Sequence, residues 1–210
     1  MAPASPPMDG IDYYYAAHSA FAYLGSAHFM AIAQAAGRPI VHKPMDLNRV
    51  MAAAGSTAFR ERTPAHRAYF FRREIDRWSE QRDAPVMDGR PTHHDNDYTL
   101  ANSMLIAGVT QGLNVDALAH AILQAHWRDD ADFADRATLA RLARDVGIDP
   151  EPLLQAALTP EIAALYEANT AEAIERSVFG SPTYVVDGDM FYGQDHLEMV
   201  ERALKEPYRR

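Results

Sequence analysis

The sequence predicts an α/β fold in which a small mixed β-sheet is interrupted by a large all-helical insertion. Three observations support this: a strand–helix–strand pattern opens the chain, a strand–turn–strand pattern lies near its end, and the segment between has helical periodicity. Strands at both ends are expected to complete one sheet. Residues 11–45 and 178–206 would then form one domain and residues 46–177 an inserted helical domain. Residues 1–10, rich in proline and alanine, are predicted to be a disordered tail.

The first half of the sheet follows from local patterns. Residues 11–16 are predicted to form a strand, because three consecutive tyrosines suit burial on both faces of a sheet. Residues 21–36 have apolar side chains at helical spacing and end at Gly37, a favourable helix C-cap. Residues 40–43 form a second short strand, closed by Pro44. Such a unit crosses over with its two strands parallel.

Proline and glycine divide the middle of the chain into separate helices. Two of these helices begin with an N-cap residue followed by proline at the first helical position. The predicted helices span residues 64–80, 98–111, 115–127, 137–146, 151–157 and 160–177. They are expected to form one wall of a cleft over the N-terminus of the first helix.

The end of the chain holds its most informative pattern. Residues 183–186 and 190–192 are strand-like, and the Asp-Gly pair between them is a strong hairpin signal. Pro182 follows Ser181 at the mouth of the first of these strands, where a cis bond would be a functional device. Asp195 opens the last helix and is predicted to cap it. Together these features describe the second half of a thioredoxin-like domain.

Composition narrows the chemistry. The 210 residues include no cysteine, which excludes disulfides, cysteine metal sites and dithiol redox chemistry by the protein itself. A thiol that takes part must therefore arrive with a ligand. The formal net charge of −9 argues against nucleic acid as a partner. The sequence has no apolar run of membrane-spanning length and no signal-peptide pattern, so a cytoplasmic location without membrane contact is expected.

Two motifs near opposite ends of the chain carry a family resemblance. One is Phe-Gly-Ser-Pro-Thr-Tyr-Val-Val-Asp-Gly at residues 179–188, continued by Phe-Tyr-Gly-Gln-Asp at residues 191–195; the other is Ser-Ala-Phe-Ala-Tyr-Leu at residues 19–24. Together they resemble 2-hydroxychromene-2-carboxylate isomerases and the related kappa-class glutathione transferases. The resemblance implies a DsbA-type or kappa-class thioredoxin-like fold, glutathione as cofactor, a small aromatic substrate and a homodimer. It also implies isomerisation by reversible thiolate addition, ring opening, bond rotation and elimination.

The resemblance assigns roles within both motifs. In the family, the serine matching Ser19 hydrogen-bonds the glutathione sulfur, and a helix N-terminus favours a thiolate. The backbone at Ser181 and Pro182 would pair with the cysteinyl unit. Gln194 and Asp195 would hold the γ-glutamyl end. The alternatives are that Ser19 is only an N-cap, that Ser181-Pro182 is an ordinary turn, and that the last two are a strand end and a helix cap.

Three other positions complete the implied site. His66 stands where the family has a lysine for the glycine carboxylate of glutathione, with Arg67 as a neighbour that could substitute; alternatively, His66 is a solvated surface residue. Phe21 and Trp127 would line a pocket for a flat aromatic substrate, although tryptophan is more commonly a core residue. The polar run at residues 93–97 includes His94 and Asp95, which stand where relatives have an aromatic–proline pair. It predicts a more polar cleft but no metal site, because adjacent histidines in a loop rarely converge on one ion.

The sequence leaves two alternatives to the isomerase. A kappa-like glutathione transferase would release the adduct and so consume glutathione. A cysteine-less thioredoxin-like module would bind partners without catalysis. Retention of Ser19 together with Gln194 and Asp195 favours a glutathione site over the binding module.

Overall fold

The sheet of the computed structural model has four strands in the order β2-β1-β3-β4. They are β1 (Ile11–Tyr15), β2 (Ile40–Pro44), β3 (Thr183–Val186) and β4 (Asp189–Tyr192). The structure describes residues 10–56 and 61–209. The tail predicted at residues 1–10 therefore lies outside the described residues, apart from Gly10.

The pairing of the strands matches the two patterns seen in the sequence. β1 pairs in parallel with β2 and antiparallel with β3, where Tyr13 lies opposite Tyr184. β3 and β4 form a hairpin, and its turn residues Asp187 and Gly188 have φ values of 49° and 88°. Positive φ at both turn positions is what a tight type I′ hairpin requires. The predicted parallel unit and the predicted hairpin are both confirmed.

Helix α1 (Ala20–Ala36) connects β1 to β2. Ser19 caps its N-terminus, and Gly37 ends it with φ 65° while donating its N–H to the last turn. Glycine adopts this left-handed conformation without the steric cost of a Cβ atom. The predicted limits of this helix are confirmed to within one residue.

The remaining helices lie between β2 and β3 and after β4. They are α2 (Leu47–Ala53), α3 (Pro64–Ala68), α4 (Glu74–Gln81), α5 (Thr99–Thr110), α6 (Asp116–Asp129), α7 (Arg136–Asp145), α8 (Pro150–Ala156), α9 (Pro160–Glu175) and α10 (Leu197–Lys205). The helix predicted over residues 64–80 is present, but a π-helical turn at Tyr69–Arg73, which the sequence did not predict, joins α3 to α4. This wider turn changes the helical register. Phe70 then contacts Phe21, at 5.2 Å between ring centroids, and Phe71 packs against the main core.

The start of the last helix also differs from the prediction. A 3₁₀ turn at Gln194–His196 precedes α10, and no side chain caps either segment. Asp195 lies inside the turn with its side chain 53% exposed, 3.5 Å from the ring of His196. Gly193, with φ 97°, leads the chain into this turn. The prediction that Asp195 caps the last helix is therefore wrong.

Apolar residues cover both faces of the sheet. On the α1 face, Tyr13 stacks between Tyr15 at 4.1 Å and Tyr184 at 5.4 Å, centroid to centroid. On the opposite face, Tyr14 packs in a second cluster with Val185 and other apolar residues. The three consecutive tyrosines are all buried, as their run in the sequence predicted.

A buried polar chain ties β2 to the start of α6. His42 Nδ1 lies 2.9 Å from the Tyr15 hydroxyl, and its Nε2 lies 2.7 Å from Asp116 Oδ1. Burial alone would raise the pKa of Asp116, but the hydrogen bond and charge of His42 outweigh it and lower that pKa.

Among the helices of residues 10–56 and 61–209, none has both the length and the apolar character needed to cross a bilayer.

Candidate active site

Ser19 lies at the N-terminus of α1, as predicted from the sequence. Its Oγ accepts a hydrogen bond from the Ala22 N–H at 3.3 Å and donates one to the Ser181 carbonyl oxygen at 3.2 Å. The side chain is therefore an N-cap and also joins α1 to the loop before β3. Helix N-termini carry unpaired N–H groups and positive potential, so an anion bound here would compete with Ser181 for the Ser19 hydroxyl.

The Ser181–Pro182 loop is fixed at both ends. Its peptide bond is cis. Ser181 Oγ accepts from the Ala16 N–H at 3.2 Å, and the Pro182 carbonyl accepts from the Gly193 N–H at 2.9 Å. These bonds hold the loop against the end of β1 and the turn before α10, directly beside Ser19. The structure thus brings Ser19, Ser181 and Pro182 together.

Gln194 and Asp195 differ sharply in exposure. Gln194 is buried, and its Oε1 accepts a hydrogen bond from Arg82 Nε at 3.0 Å while its carbonyl accepts from Nη2 at 3.1 Å. Arg82 also pairs with Glu198 at 2.7 Å. The amide of Gln194 is thus already engaged by the protein, whereas Asp195 is open to solvent. No motif marked Arg82 as a site residue, because it lies beyond the end predicted for its helix.

His66 lies on the surface of α3, and the ring of Phe70 contacts both His66 and Phe21. Its Nε2 is 3.2 Å from Arg62 Nη1, and its ring lies edge-on to Phe70, with 5.9 Å between the centroids. Phe70 in turn contacts the partly buried Phe21. His66 and its neighbour Arg67 therefore stand near the start of α1, and a role in holding a carboxylate stays a prediction.

Trp127 is buried on α6. Its indole N–H donates a 2.9 Å hydrogen bond to the carbonyl oxygen of His18, the residue before Ser19. The residue is thus part of the core and also holds the loop that leads into α1. Its ring lies 5.1 Å from that of His94, centroid to centroid. Contact with an aromatic substrate stays a prediction.

The fold assembles an imidazole cluster that the sequence analysis missed, made up of His18, His94 and His126. His94 Nδ1 lies 2.9 Å from His126 Nε2, and His126 Nδ1 lies 3.1 Å from the Ala131 carbonyl oxygen. The ring of His18 stacks on Tyr98 at 4.1 Å and lies 5.1 Å from His94. His94 belongs to the polar run noted in the sequence, but no local signal links it to the other two histidines.

Burial keeps these three imidazoles neutral. Loss of hydration, reinforced by the neighbouring imidazoles and Arg90, lowers the pKa of His18 and of His94 to about 3. Loss of hydration also lowers the pKa of His126 to about 4. Within the described part of the chain, no group of three or more His, Asp or Glu residues is arranged to hold a metal ion. Hydrogen bonds and ring contacts link the three imidazoles.

Comparison with known proteins identifies a matching family model and relatives with named activities. Residues 10–205 match the family model described as the DSBA-like thioredoxin domain. The chain is 26% identical over 194 residues to a 2-hydroxychromene-2-carboxylate isomerase of Sphingobium xenophagum, covering 92% of this chain and 97% of the relative. A solved 2-hydroxychromene-2-carboxylate isomerase superposes with a TM-score of 0.76 at 24% identity, over 93% of this chain and 94% of that one. A cytosolic disulfide reductase of Pseudomonas aeruginosa, solved with GSH, superposes with a TM-score of 0.62 at 16% identity, over 94% and 93% of the two chains.

Proposed function

Because the chain belongs to the family of DSBA-like thioredoxin domains and has no cysteine, we propose that it works with a thiol supplied by glutathione. We propose further that it isomerises 2-hydroxychromene-2-carboxylate or a related aromatic-degradation intermediate. Curated relatives similar over 92% of the chain carry the name of that isomerase. A cytoplasmic location, where small thiols are kept reduced, and a homodimer belong to the same proposal.

One observation carries the proposal: the Ser19 hydroxyl lies at the N-terminus of the 17-residue helix α1 and within 3.2 Å of the Ser181 carbonyl. A thiolate needs hydrogen-bond donors and positive potential, and this position offers both. Reorientation of one hydroxyl, from Ser181 to the sulfur, is sufficient to supply the hydrogen bond. A charge-assisted bond of this kind is about twice as strong as the neutral bond it replaces.

Other residues of the chain would bind and orient the tripeptide and the substrate. The backbone at Ser181 and Pro182 would pair with the cysteinyl unit in the manner of an added strand. Asp195, open to solvent, is available to accept from the α-amino group. His66 would take the glycine carboxylate, and Phe21 would form part of the apolar wall for the aromatic ring.

Glutathione, if bound at Ser19, would supply a nucleophilic thiolate for reversible addition, ring opening, bond rotation and elimination, and would be regenerated. The protein's part is to keep that thiolate ionised through Ser19 and the α1 N-terminus. Gln194, held by Arg82, fixes the turn that carries Asp195.

The test is conversion of 2-hydroxychromene-2-carboxylate by the purified protein, with glutathione, without it, and with S-methyl glutathione. The proposal predicts turnover only with glutathione, whose thiol concentration stays constant. Loss of thiol into a stable conjugate would instead show the kappa-like transferase. Absence of both turnover and glutathione binding would contradict the proposal and favour the non-catalytic binding module.

A further inference from the structure

The hydrogen bonds of the imidazole cluster determine which ring nitrogens carry protons. The Ala131 carbonyl only accepts hydrogen bonds, so His126 Nδ1, at 3.1 Å from it, must carry the hydrogen. A neutral imidazole has one donor and one acceptor, so Nε2 of the same ring is an acceptor. His94 Nδ1, at 2.9 Å from that Nε2, must therefore be the donor.

It follows that His94 presents an unprotonated Nε2. This assignment requires both rings to be neutral, which agrees with their lowered pKa values. Burial is the main cause of the lowering. His94 is only partly buried, and within the described residues its Nε2 has no hydrogen-bond partner. The protein thus fixes the tautomer of His94, while the described residues supply no hydrogen-bond donor to its Nε2.

This acceptor lies in the immediate surroundings of Ser19. The ring of His94 is 5.1 Å from that of His18, which precedes Ser19, and 5.1 Å from Trp127, which holds the His18 carbonyl. His18 Nδ1 is itself buried and has no partner among the described residues. Buried polar atoms are almost always hydrogen-bonded, so the unpartnered His18 Nδ1, beside the half-buried ring of His94, points to a polar group that arrives with a ligand.

We propose that His94, with its tautomer fixed by His126, accepts a hydrogen bond from a hydroxyl group of the aromatic substrate and so selects hydroxylated rings. This inference rests on the proposed function for the location of the substrate beside Ser19. His94 contacts the ligand and is a specificity residue, whereas His126 acts through His94 and is a positioning residue. A neutral acceptor can accept a hydrogen bond from a hydroxyl group but does not attract a carboxylate by charge.

The experiment measures hydroxyl discrimination with a pair of probes, 3-hydroxybenzoate and benzoate, which differ by one hydroxyl. Their dissociation constants are measured by calorimetry in the presence of glutathione, for wild type, His94→Phe, His126→Phe and His93→Phe. Wild type is expected to prefer 3-hydroxybenzoate by about tenfold, the value of one good hydrogen bond. His94→Phe should abolish the preference, His126→Phe should reduce it, and His93→Phe, a control outside the hydrogen-bonded chain, should retain it.

A second measurement needs no variant. Nitrogen NMR of the imidazole rings of wild type should show the Nδ1–H tautomer for both His94 and His126. The opposite tautomer at His94, or an unchanged preference for 3-hydroxybenzoate in His94→Phe, would overturn the inference. Because binding is measured separately from turnover, absence of glutathione-dependent isomerisation would contradict the proposed function and leave the hydroxyl preference as its own result.

Discussion

Acidification is expected to destabilise this protein well before its carboxylates titrate, because the fold buries neutral imidazoles. Unfolded histidine titrates near pH 6.5, whereas the pKa values of His18 and His94 are lowered to about 3 and that of His126 to about 4. Between these limits the unfolded chain binds protons that the folded chain does not. Stability therefore falls as the pH drops below the unfolded pKa and continues to fall until the folded pKa is reached.

The size of the effect follows from the unfolded titration alone, provided that the folded rings stay neutral. For one such histidine, lowering the pH from about 7.5 to about 5 costs about 2 kcal/mol of unfolding free energy. His18, His94 and His126 together would cost about 6 kcal/mol over the same range, which is comparable to the whole stability of many domains.

The assay is urea unfolding followed by tryptophan fluorescence across this pH range. His126→Gln keeps an amide donor for Ala131 and an acceptor for His94, and should remove about 2 kcal/mol of the pH dependence. His93→Gln removes an adjacent imidazole outside the cluster and serves as the matched control. A wild-type stability that stays flat from about pH 7.5 to about pH 5 would refute the reasoning, because it would require folded and unfolded histidines to titrate together.

Three further variants test other parts of the structure. Asp195→Ala should weaken glutathione binding by roughly ten- to a hundredfold in calorimetry while kcat at saturating glutathione changes only a few-fold, since this end of the tripeptide lies far from the sulfur; normal binding would remove Asp195 from the site. His66→Ala should raise the KM for glutathione but leave unchanged the KM for an analogue in which an amide replaces the glycine carboxylate. An equal effect on both KM values would exclude a contact between His66 and that carboxylate. Asp116→Asn should lower the unfolding free energy by about 1–3 kcal/mol, because it removes the charge that pairs with buried His42. The loss should shrink as the pH falls through the lowered pKa of Asp116, since that group stabilises only when ionised, and a pH-independent loss would contradict a role for the ionised carboxylate.

The parts of the fold that the sequence predicted correctly all have short-range causes. The hairpin follows from an Asp-Gly pair whose two residues adopt positive φ, and the end of α1 follows from Gly37 in the left-handed conformation. The burial of Tyr14 beside two other tyrosines follows from a run that only a sheet covered on both faces can accept. In each case the deciding residues are neighbours in the chain.

The parts that the sequence did not predict depend on distant residues. The π-helical turn at Tyr69–Arg73 accompanies packing of Phe70 against Phe21, which lies far away in the chain. His18 and His126 become neighbours of His94 only after the helices pack around the loop before α1. Hydrophobic periodicity does not report on such contacts, because it describes one element at a time.

The central claim is that Ser19 at the α1 N-terminus stabilises the thiolate of bound glutathione. The direct measurement is the ultraviolet absorbance of that thiolate as a function of pH in complexes of wild type, Ser19→Ala and Ser26→Ala. Ser26 is the matched control: it lies on the same helix and is buried, but its hydroxyl donates to the Tyr23 carbonyl at 2.8 Å, away from Ser181. We expect the thiol pKa to be lowered in wild type and Ser26→Ala and to rise in Ser19→Ala by roughly one to two units, the equivalent of one charge-assisted hydrogen bond. Identical titrations of wild type and Ser19→Ala, with glutathione bound in both, would contradict the claim and leave Ser19 as a helix cap alone.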